Sequence, residues 1–365
     1  MAESRIPLIQ LLNAFLVSSP DRKLLLEGVN EDKGTMVKVA VQLGEKPEMH
    51  PAGIDDLDFC SMLWSAGMLP AREHEAMEKH VMEFLDRPGN RPKTLAIDTN
   101  LVYSRFVQNF FSQQYGRPFD RVPAFIVVGR GTNDEMHYKT SITYYGMRNE
   151  KYKRFIDTIA QDPDACMLLV NTQDPIDVYE KMDKASSRPG RLGLKGLLYF
   201  RELQGNYPVI VSKPAHMYYT KEMTSKSHDK SIAVEYPDAV YDSIIRHEVE
   251  FIRDNTNLDI LFLTADKNND ESSETEGLAH YHVRPPTRWL PVNEAGASAI
   301  NARNVARFLV ELMAYSPFVK ISAPDSAKRP MHVAYAWTGK LPEENLDGRI
   351  QAWNGSSVAF YYVDT

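Results

Sequence analysis

Two aspartates close apolar runs that read as strands: Asp98 in Leu95-Ala96-Ile97-Asp98-Thr99-Asn100, and Asp266 in Leu261-Phe262-Leu263-Thr264-Ala265-Asp266. In an open parallel sheet the carboxyl ends of the strands face the crevice where ligands bind, so acids this far apart in the chain can meet in space. Either one alone reads equally well as a helix cap. Two further acids fall where such a sheet would direct them inward. Glu135 follows the apolar run 124–128, with Asp134 as its rival, and Asp242 opens the helical pattern of Tyr241-Asp242-Ser243-Ile244-Ile245. Carboxylates gathered without basic partners raise one another's pKa, and a fold tolerates them mainly when a cation neutralises them. Hard oxygen donors select Mg²⁺ or Mn²⁺. The chemistry these residues point to is hydrolysis of a phosphate ester.

The elements that must position these acids begin after a turn-rich break, Arg87-Pro88-Gly89-Asn90-Arg91-Pro92. From Thr94 onward short apolar strands alternate with helices, the pattern of parallel strands joined by crossovers. A strand is predicted at 95–97, a helix over 101–114, a strand at 124–128, a helix over 242–255, a doubly buried strand at 258–263 and a last strand at 278–283. A long excursion over about 140–234 interrupts this series. The expected organisation is therefore a mixed α/β segment at 1–90, an α/β domain at 91–286 carrying that insertion, and an α+β segment at 287–365. The first segment is read as a helix near 6–18, a strand at 36–43 and helices around 55–68 and 71–86. The last is read as a helix over 299–315, a strand at 333–337 and a hairpin around Asn354-Gly355, a dipeptide suited to a tight turn.

Composition narrows the function classes. The formal charge is −7, from 42 Lys+Arg against 49 Asp+Glu, which argues against a uniformly basic nucleic-acid-binding surface. Cys60 and Cys166 sit in neither a disulfide framework nor a zinc spacing and read as buried thiols. No apolar run approaches the ~20 residues of a membrane span, so a soluble cytoplasmic protein without a membrane partner is expected. Gly129-Arg130-Gly131 lacks the downstream Gly and Lys of a phosphate loop, so ATP use is not indicated. His74 and His80 lack the i, i+4 spacing of a zinc helix, His280 and His282 share a strand face, and Glu235 and Glu248 read as solvated acids.

Taken together the motifs resemble those of the PIN-domain nucleases. Asp98 with Thr99 and Asn100 matches the family's first strand motif, Glu135 its acid after the second strand, Asp242 the acid opening a following helix, and Thr264 with Asp266 its late Thr-x-Asp motif. The resemblance covers roughly 94–285, and the excursion is longer than a compact member needs. It implies a PIN-like parallel sheet flanked by helices, with Asp98, Glu135, Asp242 and Asp266 holding Mg²⁺ or Mn²⁺ for phosphodiester hydrolysis. It implies further that Thr99, Asn100 and Thr264 orient carboxylates or water, although each also reads as a cap. Endoribonuclease action on single-stranded or structured RNA is the expected activity. A PIN-like scaffold without catalysis and a DNA-directed 5′ nuclease stand as alternatives, and a homo-oligomer is implied by the resemblance only.

Asp238, one turn before Asp242, and Asp270, one turn after Asp266, either complete a second metal site or favour a helix N-terminus through its dipole. Substrate contacts are expected from the excursion, where 139–230 holds 15 Lys+Arg against 11 Asp+Glu, a net +4. Ser186 to Gly196, carrying Arg188, Arg191 and Lys195, reads as a mobile basic loop. Lys151, Lys153 and Arg154 lie near Tyr144, Tyr145 and Tyr152, a combination that pairs phosphate contacts with base stacking.

Overall fold

A computed structural model of the chain describes residues 6–7, 12, 15–16, 18–30, 35–43, 48–111, 123–141, 166–170, 188–212, 238–289, 302–316, 318–324, 330–335, 347–354 and 357–360. In chain order the strands are β1 (Ile6–Pro7), β2 (Lys23–Asn30), β3 (Thr35–Gln42), β4 (Glu48–Ala52), β5 (Lys93–Ile97), β6 (Phe125–Val128), β7 (Cys166–Val170), β8 (Val209–Val211), β9 (Asp259–Thr264), β10 (His280–His282), β11 (Phe318–Ser322), β12 (Met331–Tyr335), β13 (Asp347–Asn354) and β14 (Ser357–Phe360). The helices are α1 (Asp56–Ser65), α2 (His74–Asp86), α3 (Thr99–Tyr103), α4 (Phe106–Phe110), α5 (Arg130–Ser141), α6 (Arg188–Asn206), α7 (Asp238–Asn255), α8 (Lys267–Glu276) and α9 (Ala302–Tyr315). None of the described helices is long and apolar enough to cross a membrane.

The chain forms two compact units, each assembled from separated stretches. One comprises Met1–Leu69, Lys139–Leu198 and Pro286–Thr365, the other Pro70–Tyr138 and Tyr199–Pro285. The turn-rich break at 87–92 is thus a tight connection inside the second unit, because α2 turns Met77, Val81 and Phe84 into its core.

In the first unit the two terminal segments, expected as separate bodies, share one mixed nine-stranded sheet of order β1-β13-β7-β12-β11-β2-β3-β4, with β14 pairing β13. The two segments meet at the antiparallel pairing of β2 with β11, Leu26 opposite Ile321, and again where β1 pairs β13. Each segment has an apolar strand face that its own few strands cannot cover, and pairing into one sheet lets both faces share a core. Along β2 and β3, Leu24, Leu26, Val37, Val39 and Val41 are buried while Met36, Lys38, Ala40 and Gln42 are exposed, the alternation of a one-faced strand. Phe59 of α1 and Phe308 of α9 close over that face, their rings edge-to-face at 5.7 Å.

The expected basic loop at 186–196 is instead helical from Arg188 onward, the start of α6. Arg188, Arg191 and Lys195 recur at spacings of three and four and lie against α9 and α1. Arg191 is fully buried and its Nε donates to the carbonyl of Ala314, in the last turn of α9, at 3.0 Å. Lys195 pairs with buried Glu311 at 2.5 Å. Arg188 pairs with Asp58 at 2.5 Å and lies 4.5 Å over the Tyr315 ring. Arg191 and Lys195, both buried, satisfy a helix terminus and buried Glu311 and are corrected from nucleic-acid contacts to internal partners, while half-buried Arg188 is engaged by Asp58. Lys151, Lys153 and Arg154 lie outside the described residues.

The second unit is built on a five-stranded, all-parallel sheet of order β10-β9-β5-β6-β8 flanked by helices. Ala96, Val127, Ile260 and Phe262 pack against Ile245, Val249 and Ile252 of α7. Their strand neighbours Leu95, Ile97, Leu261 and Leu263 are buried as deeply, so both faces are covered, as a parallel sheet requires. Strands run outward one way from β5 through β6 to β8 and the other way from β9 to β10. The reversal between adjacent β5 and β9 opens a crevice at their carboxyl ends. The single helix expected over 101–114 is two short ones, α3 and α4, broken where Arg105 takes a left-handed φ of 51°. There its guanidinium engages Glu202 and stacks 5.2 Å from the Tyr199 ring, a tertiary anchor that overrides helix propensity.

Candidate active site

Asp98 stands at the carboxyl end of β5, 1% exposed, with each carboxylate oxygen engaged. Oδ1 caps α3 by accepting the Leu101 N–H at 2.9 Å; Oδ2 accepts the Thr264 hydroxyl at 2.6 Å and the Ala265 N–H at 2.9 Å. The Thr-x-Asp motif acquires a physical meaning here. The Thr264 hydroxyl gives its proton to Asp98 while its oxygen accepts the Asp266 N–H at 3.0 Å, fixing the two strand-end acids to one side chain. Burial pushes the Asp98 carboxyl up to about 6 against the pull of these three donors, with Asp242 adding to the rise.

Asp242 is the centre of the group. Its pKa also rises to about 6, first through burial and then through the charges of Asp266 and Glu135, while a hydrogen bond from Asn269 and the more distant Arg246 oppose the rise. All four acids expected at the crevice therefore act on one another through Asp242. Asp266 caps α8, its Oδ1 accepting Asn268 N–H at 2.6 Å and Asn269 N–H at 3.2 Å. Glu135 is buried on α5, whereas Asp134 faces Arg130 at 3.7 Å in an i, i+4 pair. Between the two rivals, Glu135 is the one whose charge reaches Asp242. A cap and a member of an acid cluster proved compatible readings of Asp98 and Asp266, since each carboxylate does both.

The remaining expected residues divide. Thr99 is buried at the first turn of α3 and its hydroxyl finds no hydrogen-bond partner. Asn100 beside it is exposed. Asp238 opens α7, its side chain outside the described residues. Asp270 turns to β10, its carboxylate 3.3 Å from His280 Nε2 and 3.6 Å from His282 Nδ1. Glu248, read as a solvated acid, is fully buried and accepts the Gly131 N–H at 3.0 Å at the start of α5. A Cβ on Gly129 would lie 2.7 Å from its carboxylate, and one on Gly131 would lie 2.9 Å from Ile244 Cγ2. The Gly-x-Gly is thus a close-packing device that lets α5 start against α7.

Sequence reasoning missed Asn269 and Arg246. Arg246 Nε donates to Glu276 at 2.9 Å and its Nη1 to Asn269 Oδ1 at 2.5 Å, while Asn269 Nδ2 donates to Asp242 Oδ1 at 2.9 Å. The i, i+4 spacing of Asp242 and Arg246 on one helix face was the available signal. The donor set around the crevice is carboxylate oxygen, the chemistry of a hard dication, and Thr99 supplies a buried hydroxyl without a partner beside it. Among the described residues no three acidic, His or Cys side chains surround a common point at coordinating distance, so cation capture requires carboxylates to turn toward it. Comparison of the chain with protein-family models, with curated proteins and with solved structures finds no match in any of the three.

Proposed function

We propose that the second unit is a PIN-like, metal-dependent nuclease that hydrolyses phosphodiesters, with single-stranded or structured RNA as substrate. The observation that carries the reading is the meeting of Asp98, Glu135, Asp242 and Asp266 at the switch point of a parallel sheet, with Asp98 and Asp242 both raised to about 6. Like charges held this close are a cost to the fold and gain a reason when a cation is the partner. Asp98, Glu135, Asp242 and Asp266 would hold Mg²⁺ or Mn²⁺, which supplies charge for the phosphate oxygens and lowers the pKa of a bound water. Asp98, clamped by three donors, is the rigid anchor. Asp242 and Glu135, on the adjoining helices α7 and α5, would complete the set. Thr264 keeps Asp98 and Asp266 in register, so the other carboxylates would turn toward a cation against a fixed pair.

A second reading, a PIN-like scaffold that binds nucleic acid or protein without cutting it, draws on the absence of a common coordination point among the described residues. Labelled single-stranded RNA and DNA, incubated with the full chain and Mn²⁺ or Mg²⁺, separate the readings. Cutting that Asp98→Asn and Asp266→Asn each reduce at least 100-fold supports the nuclease, and the polymer cut distinguishes an RNA from a DNA enzyme. Intact polymer in every lane, from a folded protein, selects the scaffold.

A further inference from the structure

Asn269 belongs to no motif, yet it is fully buried and held at three points. Its Nδ2 donates to Asp242 Oδ1 at 2.9 Å, its Oδ1 accepts from Arg246 Nη1 at 2.5 Å, and its backbone N–H reaches Asp266 Oδ1 at 3.2 Å. Arg246 is anchored in turn by Glu276 at the far end of α8, through Nε at 2.9 Å. The chemistry fixes which way the amide faces. A guanidinium only donates and a carboxylate only accepts, so the amide oxygen must face Arg246 and the amide nitrogen must face Asp242.

That order of groups has a consequence for charge. Were Arg246 to reach Asp242 directly, the two would form a partly buried ion pair, and Asp242 would have its cation already. With a neutral amide between them, Asp242 receives a directed donor but keeps most of its negative charge for another partner. The guanidinium locks the amide rather than the acid. Asn269 also ties Asp242 on α7 to Asp266 on α8, because one short side chain and its own backbone N–H contact both carboxylates.

We propose that Glu276, Arg246 and Asn269 form a strut whose last member positions Asp242 against Asp266 for cation capture, making Asn269 a positioning residue of the acid site. The inference rests on the nuclease reading. Partners that orient metal ligands are worth roughly 10- to 100-fold in metal affinity. Mn²⁺ binding to the full chain, read by the loss of the free-ion paramagnetic resonance signal, is the direct measurement. Asn269→Ser, small enough to fit without reaching Asp242, and Asn269→Leu are expected to weaken Mn²⁺ binding at least tenfold and to lower kcat while KM for the polymer stays within about twofold. Arg246→Gln, which keeps Asn269 but removes its lock, should fall between these and the unmodified chain, and it carries the test if both Asn269 variants fail to fold. Variants that fold and bind Mn²⁺ as tightly as the unmodified chain overturn the strut and leave the nuclease reading standing. An unmodified chain that neither binds Mn²⁺ nor cuts overturns both.

Discussion

Each unit holds a cluster of buried charge, and the two clusters are built in opposite ways. In the first, Lys195 and Glu311 are 5% and 2% exposed and face each other as cation and anion, and fully buried Arg191 meets a helix-terminal carbonyl. In the second, Asp98 and Glu135 are buried near Asp242 and Asp266, and Arg246, whose charge also acts on Asp242, is linked to it through the Asn269 amide. A buried pair of opposite sign is balanced in charge, even where its attraction does not repay its desolvation, and removing one partner strands the other. A buried group of one sign is incomplete. Burial of charge therefore does not by itself mark a functional site; the sign of the neighbours does.

The largest effect should come from breaking the completed pair. Glu311→Gln leaves the Lys195 ammonium buried without its anion and should cost about 3–5 kcal/mol in urea unfolding. The paired change Lys195→Met with Glu311→Leu should recover most of that loss. A cost below about 1 kcal/mol for the single change would mean that the pair is solvated in solution and that the contrast between the units is false.

The acid group should show the converse in its pH dependence. The Asp98 carboxyl lies at about 6 in the fold against 3.8 as its ordinary value, so the folded chain binds that proton more tightly than the unfolded chain. Stability from this group is full below about pH 4, falls as pH rises from about 4 to about 6, and is absent above, a change of up to roughly 3 kcal/mol for a carboxyl buried this deeply. Subtracting the pH profile of Asp98→Asn from that of the metal-free chain isolates the effect. Under the nuclease reading cleavage should run the other way, rising with pH as Asp98 and Asp242 ionise, with its midpoint drawn below the metal-free value of about 6 by the bound cation. A difference profile that rises between pH 4 and 6 would place Asp98 in a paired environment like that of the first unit.

How much of this was legible depended on whether neighbours in sequence were also neighbours in space. The strand ends carrying Asp98 and Asp266 were readable because a short apolar run followed by Asp and a helical pattern is a local signal, and the parallel sheet followed from strands alternating with helices. The sharing of one sheet by the chain termini was not, since the pairing of Leu26 with Ile321 crosses nearly the whole chain. The basic stretch at 188–195 misled for the same reason. Its glycines and cations look solvated until Glu311, Asp58 and the Ala314 carbonyl are brought up against it. Asn269 was invisible because an asparagine in a polar helix carries no periodic mark, and its importance lies wholly in Asp242 and Arg246 on another helix.

Packing around the acid group can be sharpened through its glycines. Gly131→Ala places a Cβ 2.9 Å from Ile244 Cγ2 and 3.2 Å from Ile245 Cγ1, on the helix that carries Asp242, and should cost about 1–3 kcal/mol in thermal or urea unfolding. Gly205→Ala, in α6 with nothing within 4 Å of the new Cβ, should be neutral or gain up to about 1 kcal/mol from helix propensity. Equal effects at the two positions would show that α5 does not pack closely on α7.

The smallest effect decides the comparison most directly, because its sign differs between the two units. Asp242→Asn keeps an oxygen that can accept the Asn269 amide hydrogen bond, so the contact at 2.9 Å survives the change. What disappears is the repulsion from Asp266 and Glu135, together with the desolvation of one carboxylate. In the metal-free chain above pH 7 the substitution should therefore raise stability by roughly 1 kcal/mol, the gain being modest because Asp242 is only partly buried. Added Mn²⁺ should reverse the ranking, stabilising the unmodified chain by preferential binding to the folded state and leaving Asp242→Asn nearly unchanged. A loss of stability in Asp242→Asn without metal would mean that Arg246 already serves as the acid's cation through the strut, and the acid group would then be balanced by the same rule as Lys195 and Glu311.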